Sequence, residues 1–567
     1  MTPFILLDDA RSGARAKLFR DPVEIVRADR LDEVAPALER LRGERRHVAG
    51  FIAYEAGCAL EPRLRPIFRQ AETPLLWFGL FDGFEEVDAE TWLPDPAGAF
   101  AGSPEPEIGY DAYLDRIVRV QQAIVAGDIY QANLTFPNRV PVIGDPSALF
   151  AGLRSRANAG YGALIWTGKD WFLSLSPELF FALEDGRLTA KPMKGTAAAD
   201  ADPETLRADP KQRAENLMIV DLLRNDLSRV AVPGSVEVPS LFEVERYPTV
   251  QQMTSTVTAR LAPDRDAIDV LRALFPCGSI TGAPKVRAME IIAEVEDSPR
   301  GLYTGTIGHI NPEGEAAFNV AIRTLHLKPG DTHATVGLGS GIVADSNPSA
   351  EWRECLAKGA FVRSERPFDL IETMGFDPHD GLARLDAHLA RMKASAETFG
   401  FRFDRHAARN ELQAATFRLR ERSRVRLLAS SEGNYAIEVR PLELPEEPVE
   451  VAIVPLPVSP DDFRLRHKTT DRGFYDETRR ASGCFEILFT DPDGFLTEGS
   501  FTNIFVERGG KLLTPPLRRG VLPGVLRAEL IAEGRAVEAD LRPVDLPQEF
   551  LVGNAARGLL RAKLKRL

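Results

Sequence analysis

The chain is poor in everything that would staple it covalently or hold it in a membrane. Its four cysteines, Cys58, Cys277, Cys355 and Cys484, lie far apart with no paired spacing. That excludes a disulfide framework or a cysteine zinc site and predicts a reducing compartment, the cytoplasm. No uninterrupted apolar run approaches the ~18 residues of a membrane span. The opening MTPFILLDDARSG has no basic flank and reaches aspartate too soon for a secretion signal. Neither export nor membrane association is expected. Positive charge is also short: 70 Lys and Arg against 83 Asp and Glu give a net charge of -13, and RAKLKRL is the one basic cluster of note. Nucleic acid is therefore not an expected partner. No repeat of ~20–50 residues is present, which excludes a solenoid.

What the chain does have is length and an ordinary globular balance, 567 residues with 44% hydrophobic and 27% charged. That is more than one core usually supports, so two or more domains are expected. The helical pattern from Asn347 runs into RSERP and restarts in the strand-like FDLIETMGF. This places a junction at residues 364–367 and domains at 1–363 and 364–567. Strand-like segments such as WFLSLSPELFFAL alternate with amphipathic helices before the junction; HLARMKASAETF and then CFEILFT and TNIFVE follow it. Both halves read as α+β, the first mostly antiparallel.

Two lysines frame KPMKGT, residues 191–196. A lysine is a nucleophile only after losing its proton, which takes desolvation or a neighbouring positive charge, and Lys191 could supply that charge to Lys194. The same segment also reads as an exposed strand end. Glu215 heads a mostly apolar helix, and Glu351 and Glu354 share a helix face behind Asn347 and Pro348. Carboxylates from separate helices suit Mg²⁺, although Glu354 and Lys358 equally form a surface pair four residues apart. FPCGSITGAPKVRAMEII and GLGSGIVADSNP carry glycines toward helix starts where backbone N–H groups could face an anion, and Arg323 could fork onto a carboxylate.

AGDIYQANLT, SPELFF, KPMKGT, AENLMIVDLLRNDLSRV, FPCGSITGAPKVRAMEII, YTGTIGHI, FNVAIRT and GSGIVADSNPSAEWRE, in this order, resemble the chorismate-utilising enzymes over about residues 45–360. Lysine at position 194 resembles the aminodeoxychorismate synthase branch, where anthranilate synthases typically have alanine. The resemblance implies that Lys194 attacks carbon 2 of chorismate as the carbon 4 hydroxyl leaves, and that ammonia then enters carbon 4 and expels the lysine. It further implies Mg²⁺ on Glu215 and Glu354 with Glu351 nearby. Substrate contacts would come from Thr196, Tyr303, Arg323 and Lys358 and from backbone at Gly339 and Gly341. Gln131 stands where isochorismate and salicylate synthases place a water-activating lysine. Gln252 stands where anthranilate synthases place a histidine, and it cannot act as a general acid. No glutaminase motif is present, so ammonia is expected from a separate glutamine amidotransferase subunit.

In the C-terminal half, RLDAHLARMKASAETFGF, HKTTDR, LTEGSFTNIF and PPLRRGVLPGVLR suit parts of a pyridoxal phosphate site. Taken singly, His388 with Arg391 reads as a solvated helix face and Lys468 as a surface lysine. Their order resembles fold type IV pyridoxal phosphate enzymes over about residues 367–560, a family that includes aminodeoxychorismate lyase and branched-chain and D-amino acid aminotransferases. The resemblance makes Lys468 the lysine that holds the cofactor aldehyde and moves protons, Glu498 the partner of the ring nitrogen, and Arg391 a phosphate ligand. Val525 and Leu526 would offer N–H groups to the phosphate, and Asn554 stands where the family often has a hydroxyl residue. A homodimer through this half is part of the same expectation. An amine made by the first half favours lyase chemistry in the second.

Overall fold

The structure, a computed structural model, describes residues 2–11, 13–198, 200–246, 250–363 and 368–565. The expected junction at residues 364–367 lies outside them, as do the side chains of residues 196–198, Thr196 included. The chain divides into two compact units. The first comprises Met1–Pro96, Ser103–Val140 and Pro146–Arg363; the second comprises Ala97–Gly102, Pro141–Asp145 and Ser364–Leu567.

The first unit is built on two large antiparallel sheets. In one, Trp171–Ser176 runs between Tyr161–Trp166 and Thr324–Leu327. In the other, Leu179–Glu184 runs between Arg187–Lys191 and Ala316–Asn319. WFLSLS is buried at every position, which explains its near-continuous apolar run where a half-exposed strand would alternate. The chain passes from one sheet to the other through Pro177 and Glu178, so Glu178 is carried inward between two interior strands. Helix Pro210–Ser228 starts where the Asp209 carboxylate accepts the Lys211 and Gln212 N–H groups and Pro210 fits the first turn. It buries Ile219, Val220, Leu223 and Leu227 in the same core as Phe180 and Leu271. Helix Pro348–Lys358 is capped by the Asn347 side chain on the Ala350 N–H.

The second unit holds a four-stranded antiparallel sheet and an eight-stranded mixed sheet. In the latter Val449–Pro455 pairs in parallel with both Glu486–Thr490 and Gly558–Leu564. One of its hydrophobic cores contains Phe100, a residue far upstream in sequence, whose ring lies 5.4 Å from Phe368 and 5.0 Å from Phe399, both edge-on. Phe100→Ala should remove about 3–5 kcal/mol from this core. All five tryptophans, Trp77, Trp92, Trp166, Trp171 and Trp352, belong to the first unit. The loss should therefore appear as an earlier transition in far-ultraviolet circular dichroism with tryptophan fluorescence unmoved. A fluorescence midpoint that shifts equally would contradict the assignment of Phe100 to the second unit.

Candidate active sites

Lys194 sits on strand Met193–Ala198, which pairs with Val250–Arg260. Met193 opposes Thr254 and Thr196 opposes Gln252, so three steps on one strand face two on the other. This is a β-bulge, and a bulge re-aims the side chain it carries. Gly195 provides the left-handed backbone at φ 102° that the bulge requires. Asn216, fully buried on the neighbouring helix, donates to the Lys194 carbonyl at 3.2 Å and accepts from Ser255 at 2.6 Å. The bulge is thus clamped from behind.

The Lys194 amine is aimed at Gly341. A methyl group placed there would come within 2.6 Å of Nζ and 2.3 Å of Gln131 Nε2, so glycine leaves room that any side chain would take. Burial pushes the Lys194 ammonium below its ordinary pKa, aided by the charge of Lys358, while Glu215, Glu354 and Glu178 oppose the shift. The helping cation is Lys358, not Lys191. Lys191 is tied in an ion pair with Glu245. Lys358 reaches Glu354 at 2.8 Å and the Gly339 carbonyl at 3.0 Å, so the helix pair read as a surface feature borders the site.

Among the described residues, no group of three His, Cys, Asp or Glu side chains converges as a metal site. The three expected carboxylates do sense one another. Burial raises the Glu215 pKa, and the charges of Glu351 and Glu354 add to the rise. Burial acts to raise Glu354, but Lys358, helped by Lys194 and Lys211, holds it below its ordinary pKa, and Glu351 accepts from Ser346 at 2.8 Å. Hard oxygen donors in mutual repulsion fit Mg²⁺, which binds through one or two carboxylates while keeping water and substrate oxygens.

Tyr303 and Arg323 come from turns beside these strands. The Tyr303 ring lies flat on Gly337, and a Cβ there would come within 2.1 Å of it. Burial raises its phenol pKa. The turn that carries it is held by buried Arg300, which meets Glu296 at 2.7 Å and the Asn133 carbonyl at 2.7 Å. Arg323 takes φ 51° and lies 6.0 Å over the Phe361 ring. Gln131 is buried with its Oε1 unbonded. Gln252 lies in the strand between Thr196 and Glu245, paired through the backbone with both.

In the first unit a further acid escaped the sequence reading. Glu178, in SPELFF, is buried, accepts from Ser279 at 2.7 Å and is felt by Lys194. Burial pushes its carboxyl up to about 7 against the opposing pull of Ser279 and Lys194. A carboxylate between two buried apolar strands is the signal that would have found it. Because the folded state holds this proton more tightly than the unfolded chain, Glu178 lowers stability as pH rises from about 4.5 to about 7. Glu178→Gln should therefore gain about 2–3 kcal/mol at pH 8 and nothing at pH 4. Denaturant titrations at the two pH values test this, and an equal effect at both would contradict it.

In the second unit a cavity of about 450 Å³ is lined by Lys468, Glu498, Arg391, Val525, Leu526 and Asn554 among others. Burial lowers the Lys468 pKa to about 7, with the charges of Arg391, Arg472 and Arg426 assisting and Glu372 opposing. Glu498 is pushed up to about 7 by burial; Tyr475 donates to one oxygen at 2.5 Å and the Leu522 N–H to the other at 2.9 Å. His388 and Arg391 are not a solvated face. Both grip buried Glu372, His388 at 2.5 Å and Arg391 through two donors at 2.8 and 2.7 Å. The sequence reading passed over Glu372, the acid inside the strand FDLIETMGF. Helix Val525–Ala532 opens at Gly524 beside the cavity. Asn554 holds the adjoining turn by accepting the Ala556 and Arg557 N–H groups. A half-deprotonated amine, a buried acid and the unbonded His388 Nε2 in one cationic cavity fit pyridoxal phosphate.

Residues 4–364 match the family described as chorismate binding enzyme, and residues 369–564 match amino-transferase class IV. Aminodeoxychorismate synthase component 1 of Klebsiella aerogenes is 46% identical over 44% of this chain and 56% of that protein. Anthranilate synthase component 1 of Streptomyces coelicolor is 42% identical over 43% of this chain and 49% of that protein. The crystal structure of anthranilate synthase component I from Streptococcus pneumoniae aligns with a TM-score of 0.54 at 27% identity, covering 62% of this chain and 93% of that one. The chain spans about half the length of the curated relatives it matches. No helix among the described residues is long and apolar enough to cross a membrane.

Proposed function

This chain belongs to the chorismate binding enzyme family across residues 4–364, and from that premise we propose a two-step synthesis of 4-aminobenzoate, a folate precursor. The first unit aminates chorismate to 4-amino-4-deoxychorismate, and the second eliminates pyruvate from that amine. The observation that carries the reading is the amine of Lys194, set on a bulge, its proton affinity lowered, facing the gap at Gly341.

Lys194 forms a bond to carbon 2 of chorismate as the ring double bonds shift and the carbon 4 hydroxyl departs; ammonia then bonds to carbon 4, the double bonds shift back, and the lysine leaves carbon 2 carrying the C–N electron pair. Glu178, about half-protonated near neutral pH, would hand a proton to the departing hydroxyl, the task Gln252 cannot perform. Lys358, Tyr303, Arg323 and Thr196, with backbone at Gly339 and Gly341, hold the substrate. Mg²⁺ on Glu215 and Glu354, with Glu351 beside them, would neutralise a substrate carboxylate. Ammonia comes from a separate glutamine amidotransferase subunit, in keeping with the component 1 names of the relatives.

In the second unit pyridoxal phosphate would supply an electron sink. Lys468 moves protons at the substrate, Glu498 holds the charge of the ring nitrogen, and Arg391, with the Val525 and Leu526 N–H groups, holds phosphate. A homodimer through this unit and a cytoplasmic location complete the proposal. The match of residues 369–564 to amino-transferase class IV favours a second reading, amino-group exchange between a branched-chain amino acid and 2-oxoglutarate. Mass spectrometry of products from chorismate and ammonium tests the set. 4-Amino-4-deoxychorismate is expected without added cofactor and 4-aminobenzoate with it; 2-aminobenzoate would overturn the first assignment.

A further inference from the structure

The cavity of the second unit carries more positive charge than a phosphate needs. Arg391 is neutralised by Glu372 at 2.7 Å, Arg464 by Asp462 at 2.6 Å, and Arg426 faces Glu438 at 3.7 Å. Four further arginines lining the same space, Arg424, Arg472, Arg479 and Arg557, are in no ion pair among the described residues, and of these Arg472 is spent on the Ser500 carbonyl and the Tyr475 ring. Arg479 and Arg557 flank one ring, each guanidinium carbon 5.6 Å from the centroid of Phe501. Phe485 meets that ring edge-on at 5.6 Å and lines the cavity with it. The Arg479 Nε is buried and makes no hydrogen bond. Arg557 is committed only weakly, to the Glu443 carbonyl at 3.4 Å, and the charge of Arg424 adds to its destabilisation by burial. Unpaired guanidinium groups held together against their own repulsion are costly unless an anion joins them, and planar carboxylates match their donor geometry.

We propose that Arg479 and Arg557 beside Phe501, with Arg424 on the same cavity wall, form a carboxylate-binding subsite that selects amines bearing two carboxylates over ordinary monocarboxylate amino acids. Phe501 supplies an apolar face for a ring between the acids, and the cations fix its ends. The proposal deepens the lyase reading of the second unit and rests on it for the identity of the amine.

The test uses the full chain loaded with pyridoxal phosphate and two probes, isophthalate and benzoate, titrated while the absorbance of the bound cofactor is followed. Isophthalate should bind at least tenfold tighter than benzoate, and added salt should erode the difference. The R479Q/R557Q double substitution should abolish the preference, and Arg479→Lys should restore part of it. Equal affinity for the two probes, or a preference that survives the double substitution, would overturn the subsite. The native protein alone decides the first point, so a variant that fails to fold leaves the outcome readable. Pyruvate release from 4-amino-4-deoxychorismate is measured in parallel. Preference without release sinks the lyase reading and keeps the subsite, whereas release without preference does the reverse.

Discussion

Lys194→Ala should reduce amination of chorismate on the order of 10³-fold or more, the scale on which losing a reacting nucleophile is felt. The variant should remain folded, because the change removes a group that burial already penalises and leaves the bulge held by Asn216 and Gly195. Supplied 4-amino-4-deoxychorismate should still be converted to 4-aminobenzoate, since Lys468 lies in the other compact unit. Lys194→Arg should not rescue: a guanidinium keeps its charge and cannot attack. Steady-state assays with ammonium in place of the glutaminase measure the first half alone, and amination retained within tenfold of the native rate would remove the nucleophile assignment.

Lys468→Ala should have the opposite signature. The amine intermediate should accumulate at an undiminished rate while 4-aminobenzoate output falls ~10³-fold or more, within the range attributed to a positioned acid and base. The cause is specific to this cavity. Burial and the charges of Arg391, Arg472 and Arg426 hold the Lys468 amine near half-deprotonation at neutral pH, where it can both take and give a proton. A pH profile should follow: output of the second step in the native protein should fall as pH drops below about 7 and Lys468 becomes fully protonated. The absorbance of the loaded protein, measured beside the products, separates loss of the cofactor from loss of proton transfer. Undiminished 4-aminobenzoate from Lys468→Ala would exclude the lyase role.

The two α+β halves were legible because apolar periodicity changes across the residue 364–367 region and because both motif sets run in order. Position 194 could be singled out for the same reason. What surrounds it could not, because partners in a sheet are set by register. A one-residue bulge between Met193 and Thr196 decides where Lys194 points, and nothing local in KPMKGT announces it. The neighbour in sequence, Lys191, was the obvious source of positive charge, yet it pairs with Glu245, and Lys358 from a distant helix takes that place. Glu178 and Glu372 went unnoticed since one sits between two apolar strands and the other inside one, where the apolar character dominates the pattern. Both are buried acids with opposite fates. Glu178 rises to about 7 because burial outweighs Ser279, Lys194 and the Met193 backbone, whereas Glu372 falls to about 2 because Arg391 and His388 outweigh its burial. Phe100 shows the remaining limit: membership of a core whose other buried members begin only at Phe368 is a long-range fact that composition does not encode.

The central claim is the covalent role of Lys194, and intact-protein mass spectrometry after exposure to chorismate without any ammonia source tests it most directly. Attack at carbon 2 with loss of the hydroxyl predicts an adduct equal to chorismate less one water, located by peptide mapping on the KPMKGT segment and absent from Lys194→Ala. Addition of ammonium should discharge it as 4-amino-4-deoxychorismate. Product formation at the native rate with no adduct at any time after mixing, or an adduct mapped to a residue other than Lys194, would contradict the account.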